Sequence, residues 1–267
     1  MQNYLIDSHC HLDYFDFSME LDQVIYRAKK AGIKKILTIC TEPEKLSKII
    51  QISENYKNIF FSVGLHPLSV SKGSYFSVSD LIEISKHPKM IGIGETGLDY
   101  FYSKDNKEEQ IKNFEMHIKA SQKTKIPLIV HSRSADDDMI KILLKNFKKK
   151  EFNCVMHCFS SGEKLAKAIT KLNFYISLSG IITFKKSLEL RKVIKNVPKN
   201  LILLETDSPY LSPVPLRGKK NEPSHLIHTC NYLSDFLGIN NNEFKALTTS
   251  NFYNLFKKAK KYEKEKL

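Results

Sequence analysis

No run of this sequence stays apolar over the roughly 18–20 residues that a membrane span requires. The first residues show neither the basic start nor the long apolar stretch of a secretory signal. Both absences point to the cytoplasm. Cysteine is scarce and scattered: Cys10, Cys40, Cys154, Cys158 and Cys230 form an odd set, not a disulfide framework. Cys154 and Cys158 have three residues between them, but no second Cys or His pair stands nearby to complete a four-ligand zinc site, so these five read as free thiols. No glycine-rich phosphate turn follows the first apolar run, which counts against a doubly wound nucleotide-binding sheet. No low-complexity linker divides the chain. Arginine is also rare. Of 42 basic residues only Arg27, Arg133, Arg191 and Arg217 are arginine, so lysine carries almost all of the +13 net charge. A basic balance favours phosphate-rich partners. Runs such as 148–150 and the KKAKKYEKEK terminus equally fit solvated helix faces, and biased composition can arise without function.

What the chain does contain is alternation. Short apolar, β-branched runs at 4–7, 35–39, 59–63, 90–94, 128–130, 154–156, 174–178 and 201–204 read as strands. Helical periodicity fills 20–31, 43–56, 78–86, 107–124, 135–148, 163–172 and 187–195, with two more helices near 224–237 and 242–257. Apolar runs flanked by amphipathic helices mean parallel strands covered on the outside. Eight such units in 267 residues predict a single-domain α/β fold, the (β/α)8 TIM barrel of about 250 residues. The barrel is expected over 1–257, with 258–267 as a basic tail.

In a barrel the reactive face lies at the carboxyl ends of the strands. His9 and His11 follow the first strand, His66 the third, Glu95 sits at the fourth, His131 and His157 end the fifth and sixth, and Asp207 follows the eighth. Five of nine histidines directly following strand ends is more than scatter among loops would give. In DSHCHLD (7–13), alternation along an extended backbone sends His9 and His11 to one face and Cys10 to the other. The same parity puts Asp7 on the histidine face, placed to orient a ring. Imidazole and carboxylate without thiolate suit Mg²⁺, Mn²⁺ or Zn²⁺. Six protein ligands exceed what one catalytic zinc keeps and suit two divalent ions sharing a carboxylate. The expected division gives His9, His11 and Asp207 to one ion and His131 and His157 to the other, with Glu95 bridging and Asp207 as general base.

Neighbouring residues carry two readings each. Arg133, two beyond His131, reaches the mouth to grip a phosphate or pairs with an acid such as Asp136. Arg217, Lys219 and Lys220 form a phosphate-facing loop stiffened by Pro213 and Pro215, or a solvated one. Tyr100–Tyr102 stack on a base or pack the loop onto the barrel. Glu205, two before Asp207, supports a ligand.

The motifs together carry a resemblance. DSHCHLD (7–13), GLHP (64–67), GIGETGLDYFY (92–102), PLIVHSR (127–133), HCFS (157–160), LSGIITFK (178–185), LLETDSPYL (203–211) and RGKKNEP (217–223) occur in order. They resemble the TatD family of metal-dependent deoxyribonucleases, within the amidohydrolase-type barrels, from residue 4 to about residue 257. The resemblance implies a divalent-metal-dependent phosphodiesterase acting on DNA; with the two-metal site read above, the expectation is a monomer that hydrolyses DNA phosphodiester bonds as a 3′-to-5′ exonuclease on single-stranded ends. The resemblance also implies His9, His11, Glu95, His131, His157 and Asp207 as metal ligands. His66 is expected to contact a phosphate, or else to be an ordinary capping or core histidine. Leu68 stands where the family often has a second histidine, and Ser161-Gly162 reverses a common Gly-Ser order; both bear on substrate choice. The alternative activity is hydrolysis of a small amide, lactone or phosphoester. Several barrels of that type place a carbamylated lysine at the end of the fourth strand, where this chain has Glu95. A nucleic-acid-binding barrel without chemistry would need a broken ligand set, and all six positions are filled.

Overall fold

The computed structural model describes residues 4–14, 20–71, 73 and 75–264. Its eight strands are β1 (Leu5–Cys10), β2 (Ile33–Cys40), β3 (Ile59–Val63), β4 (Met90–Asp99), β5 (Leu128–Arg133), β6 (Cys154–Met156), β7 (Tyr175–Leu178) and β8 (Ile202–Leu204). They are all parallel and hydrogen-bonded in chain order, with helices between them. This is the expected (β/α)8 barrel. Helices α1 (Glu20–Lys30), α2 (Leu46–Asn55), α3 (Val78–Ile84), α4 (Lys107–Thr124), α5 (Asp136–Lys149), α6 (Glu163–Lys171) and α7 (Leu188–Lys195) alternate with the strands, and α8 (Leu226–Leu237), α9 (Asn241–Leu255) and α10 (Lys257–Lys264) follow. Among the described residues no helix is long and apolar enough to cross a membrane.

The seam between β8 and β1 is closed by individual bonds at the carboxyl end. The Asp207 amide donates to His9 O at 3.0 Å, and the His11 amide donates to Ser208 O at 2.8 Å. Asp7 adds the third tie: its Oδ1 accepts from the Thr206 amide at 2.9 Å and its Oδ2 from the Thr206 hydroxyl at 2.5 Å. The last strand's loop is therefore fixed to the first strand where the chemistry collects.

Alternation sorts the core into two layers. Ile6, Leu37, Phe60, Ile91, Ile129 and Leu203 fill the barrel interior, while Leu5, Val63, Val130 and Met156 face the helices. The interior cluster is continued from below by Phe252, Leu255 and Phe256 of the α9–α10 region and by Ala259. The set-apart basic tail is thus helical as far as Lys264. Tyr262 meets Phe60 edge-on at 5.7 Å, and Lys35 Nζ lies 2.6 Å from Glu263. The lysines of this segment had masked a short apolar face. Phe256 is fully buried, and Phe256→Ala should destabilise the protein by about 3–5 kcal/mol in denaturant unfolding. A loss below about 1 kcal/mol would show that the base of the barrel does not depend on this segment.

Candidate metal centre

β1 does not deliver its histidines by simple alternation. Asp7 pairs with Ile36 and Cys10 with Thr38, so three steps on β1 oppose two on β2. This bulge flips the parity. Ile6 and Ser8 face inward below it, Ser8 bonding Ser177 across the interior, and His9 and His11 face inward above it. Cys10 turns out into the helix-facing core, its thiol towards Leu37 O, as expected. Asp7 contradicts the parity expectation. It lies below the bulge and bonds Thr206 and the His9 amide, touching neither ring.

A second bulge shapes β4, where Ile93 pairs with Leu128 but Thr96 with Val130. Glu95 lies within it and Asp99 beyond it, and both side chains face His131. Gly97 has φ +141°, and a Cβ there would stand 2.0 Å from His131 O, so only glycine lets β4 approach β5 this closely. The regular strands need no such device: Ile129 leads to His131, Val155 to His157 and Leu203 to Glu205 in strict alternation.

Glu95, buried to 2% exposure, is the centre of the group. Its Oε2 lies 3.4 Å from His9 Nε2 and 3.9 Å from His11 Nε2. Its Oε1 lies 2.8 Å from His157 Nε2, 3.2 Å from His131 Nδ1 and 3.3 Å from His66 Nε2. Asp207, at φ +55°, brings Oδ1 to 3.5 Å from His11 Nε2 and 3.8 Å from His9 Nε2. All six expected ligands therefore converge, and His66 joins them at the mouth of a cavity of about 750 Å³. Burial alone would raise the Glu95 carboxyl, yet His157 and His66 beside it hold it well below the usual range. Burial also opposes charge on His157, while Glu95 and Glu205 lift its imidazole well above the ordinary value. His9 moves the other way: burial, and His157 stacked on it at 3.9 Å, push it down.

The donor chemistry fits metal ions. Nδ1 of His9 and of His11 is buried without a hydrogen-bond partner, and His9 Nε2 and the His157 Nδ1–Glu205 pair are buried with only a charged neighbour at 3.4 Å and no hydrogen bond of good geometry. So many unsatisfied groups in one place are costly unless something else binds there. His131 gives the clearest case. Its Nε2–H donates to Asp99 Oδ2 at 3.0 Å, so a neutral ring turns a lone pair, not a proton, towards Glu95. A second proton or a cation must lie between them.

Supporting residues were only partly legible in sequence. Glu205 stands 3.4 Å from His157 Nδ1, in the expected supporting place. Asp99 was not singled out as His131's partner, although its spacing of four from Glu95 puts both on one face; its Oδ1 also accepts from the Phe101 and Tyr102 amides. His117 accepts the Leu65 amide at 3.1 Å, while Asn113 donates to Leu65 O at 3.0 Å, so α4 fixes the backbone before His66. Burial pushes the His117 imidazole down to about 4, which keeps it a neutral acceptor. In RGKKNEP it is the buried Asn221 that reaches the site, its amide donating to Thr206 O and Tyr210 O on either side of Asp207.

The expected phosphate contacts divide. Arg133 lines the cavity and rests on Phe101 and Tyr102 at 4.4 and 4.6 Å; it makes no ion pair with Asp136, which accepts from Ser161 instead. Arg217 is exposed and stacks on Phe184 at 3.7 Å, away from the cavity lining, and Lys220 pairs with Glu20. Leu68 lines the cavity beside His66, whose Nδ1 accepts from the Leu68 amide, leaving the proton on Nε2.

A (β/α)8 barrel with histidines and carboxylates gathered at its carboxyl end has the make-up of a metal-dependent hydrolase. The family described as TatD related DNase matches residues 6–257, and the chain belongs to it. An uncharacterized metal-dependent hydrolase of Buchnera aphidicola from Acyrthosiphon pisum is 42% identical over 95% of this chain and 99% of its own length. The uncharacterized metal-dependent hydrolase YcfH of Escherichia coli K12 is 36% identical over 95% and 96%. The crystal structure of the TatD homologue YjjV from E. coli superposes with TM-score 0.89 at 29% identity, covering 96% of this chain and 99% of that one. The protein is a metal-dependent hydrolase.

Because Asp99 presents His131 through Nε2, Asp99→Asn should weaken metal binding about 10-fold to 100-fold with the fold retained. Competition titration with a chromophoric chelator reads the change; an unaltered affinity would remove Asp99 from the centre.

Proposed function

We propose that the chain is a deoxyribonuclease that hydrolyses phosphodiester bonds with two divalent ions, Mg²⁺, Mn²⁺ or Zn²⁺. The observation that carries this reading is the division of Glu95: Oε2 serves His9 and His11, while Oε1 serves His131 and His157. His9, His11 and Asp207 would hold one ion, His131 and His157 the other, with Glu95 shared. Two such ions, when bound, acidify a water and neutralise charge on a transferring phosphate.

The chain's own groups supply the remainder. Asp207, kept ionised by His11, His9 and His157 against the effect of burial, accepts the proton of the attacking water at its carboxylate. The His66 Nε2–H, 3.3 Å from Glu95 Oε1 at the cavity mouth, would turn from Glu95 to a phosphate oxygen when substrate is bound. Arg133, held by two rings, presents its planar guanidinium to the same anion. The family's description as DNase and the +13 charge support a polyanionic substrate over a small neutral amide or lactone.

A 5′-labelled single-stranded oligonucleotide incubated with Mn²⁺ or Mg²⁺ should shorten from its 3′ end, and chelation should abolish the reaction. Asp207→Asn should lower kcat by about 10²–10⁴. Undiminished cleavage in chelator, or a wild-type rate in Asp207→Asn, would contradict the mechanism.

A further inference from the structure

Large apolar side chains seldom lie exposed in clusters unless something covers them. Nine are exposed among the described residues, and four of these, Tyr14, Leu68, Tyr102 and Tyr210, line the one cavity that contains Glu95. A fifth, Phe101, packs edge-on against Tyr102 at 4.8 Å. The four aromatics fall into two pairs. Tyr14 and Tyr210 meet edge-on at 5.8 Å and flank His11, at 5.8 and 6.3 Å. They follow β1 and β8. Phe101 and Tyr102 follow β4, and Arg133 at the end of β5 lies against both. In a ring of eight strands in chain order, the β8/β1 seam and the β4/β5 pair stand diametrically opposite. The cavity therefore has an aromatic wall on each side of the Glu95 cluster.

Each wall is braced by a cation. Lys45 Nζ lies 4.7 Å from the Tyr14 ring centre, and the Arg133 guanidinium lies 4.4 and 4.6 Å from Phe101 and Tyr102. The rings are held in place from one side, yet remain 48–63% exposed. Arg133 also puts positive charge beside its wall, whereas Lys45 is paired with Asp13 at 3.4 Å and Glu42 at 3.8 Å and serves its wall only as a brace.

We propose that the two walls are base-stacking subsites, one for the unpaired base on each side of the scissile phosphodiester. This rests on the nuclease reading above and adds to it the residues that position the strand. A phosphate placed at the Glu95 cluster has one nucleoside on either side, and the rings offer each base an apolar face; stacking on aromatics is tolerant of base identity. Leu68, on the His66 side, closes the cavity between the walls with a further apolar surface. A base stacked between its neighbours in a duplex has both faces covered, so both subsites demand unstacked nucleotides.

The test uses the metal-loaded enzyme and single-stranded oligonucleotides carrying an abasic site immediately 5′ or immediately 3′ of the cleaved bond. For the wild type, each abasic site should lower kcat/KM by roughly tenfold, the size expected for losing one stacked base. Tyr14→Leu/Tyr210→Leu should bring the base-to-abasic ratio towards one at one position, and Phe101→Leu/Tyr102→Leu should do so at the other. Tyr210→Phe, which keeps the ring, should restore most of the ratio, separating stacking from misfolding. A ratio unchanged in both double variants would overturn the proposal. So would a wild type that cuts base-bearing and abasic strands equally, although the nuclease reading would then stand. A wild type that cuts no oligonucleotide with any divalent ion would remove that reading and the stacking subsites with it.

Discussion

The site depends on one buried carboxylate facing five imidazoles. Glu95 cannot be buried as an anion unless its charge is met, and in this barrel it is met from β1, β5, β6 and the loop after β3 at once. Each of those elements must deliver its histidine to within a few ångströms of one side chain. That requirement accounts for the local irregularities around it: the bulge that turns His9 inward, the bulge before Thr96, and the glycine at 97 that brings β4 against β5. His9, Glu95 and His131 sit on strands, and His11, His66, His157 and Asp207 on the segments that directly follow them.

Much of this was legible in the sequence because the barrel converts order along the chain into position around a ring. Once eight strands were counted, histidines at their ends had to converge, and all six expected ligands do. The parts that were not legible share a cause. A bulge has no period-2 signature, so alternation alone puts Asp7 on the histidine face, whereas it ties β1 to Thr206. Polar residues at strand ends break the apolar pattern, so the apolar run stops at Gly94 while β4 runs on to Asp99, which bonds His131. In RGKKNEP the charged residues drew attention, but the neutral Asn221 spans the loop that carries Asp207. Lysine likewise hid the short apolar face of α10.

Stability and chemistry occupy opposite ends of the molecule. The amino-terminal end is sealed by α9 and α10, with Phe252 and Phe256 in contact and Asn251 bonding Ile202 O beneath β8. The carboxyl end leaves polar atoms unsatisfied and aromatic rings uncovered, features that reduce stability. Asp99 and Glu205 lie beside His131 and His157, and His117 and Asn221 fix the backbone next to His66 and Asp207.

The central claim is that Glu95 joins two half-sites into one centre. Electron paramagnetic resonance of the protein titrated with Mn²⁺ tests it most directly. The wild type should bind two ions per chain and give the exchange-coupled signal of a close pair, and Glu95→Gln should lose the coupling. A single ion per chain at saturation, or two ions without coupling in the wild type, would contradict the account.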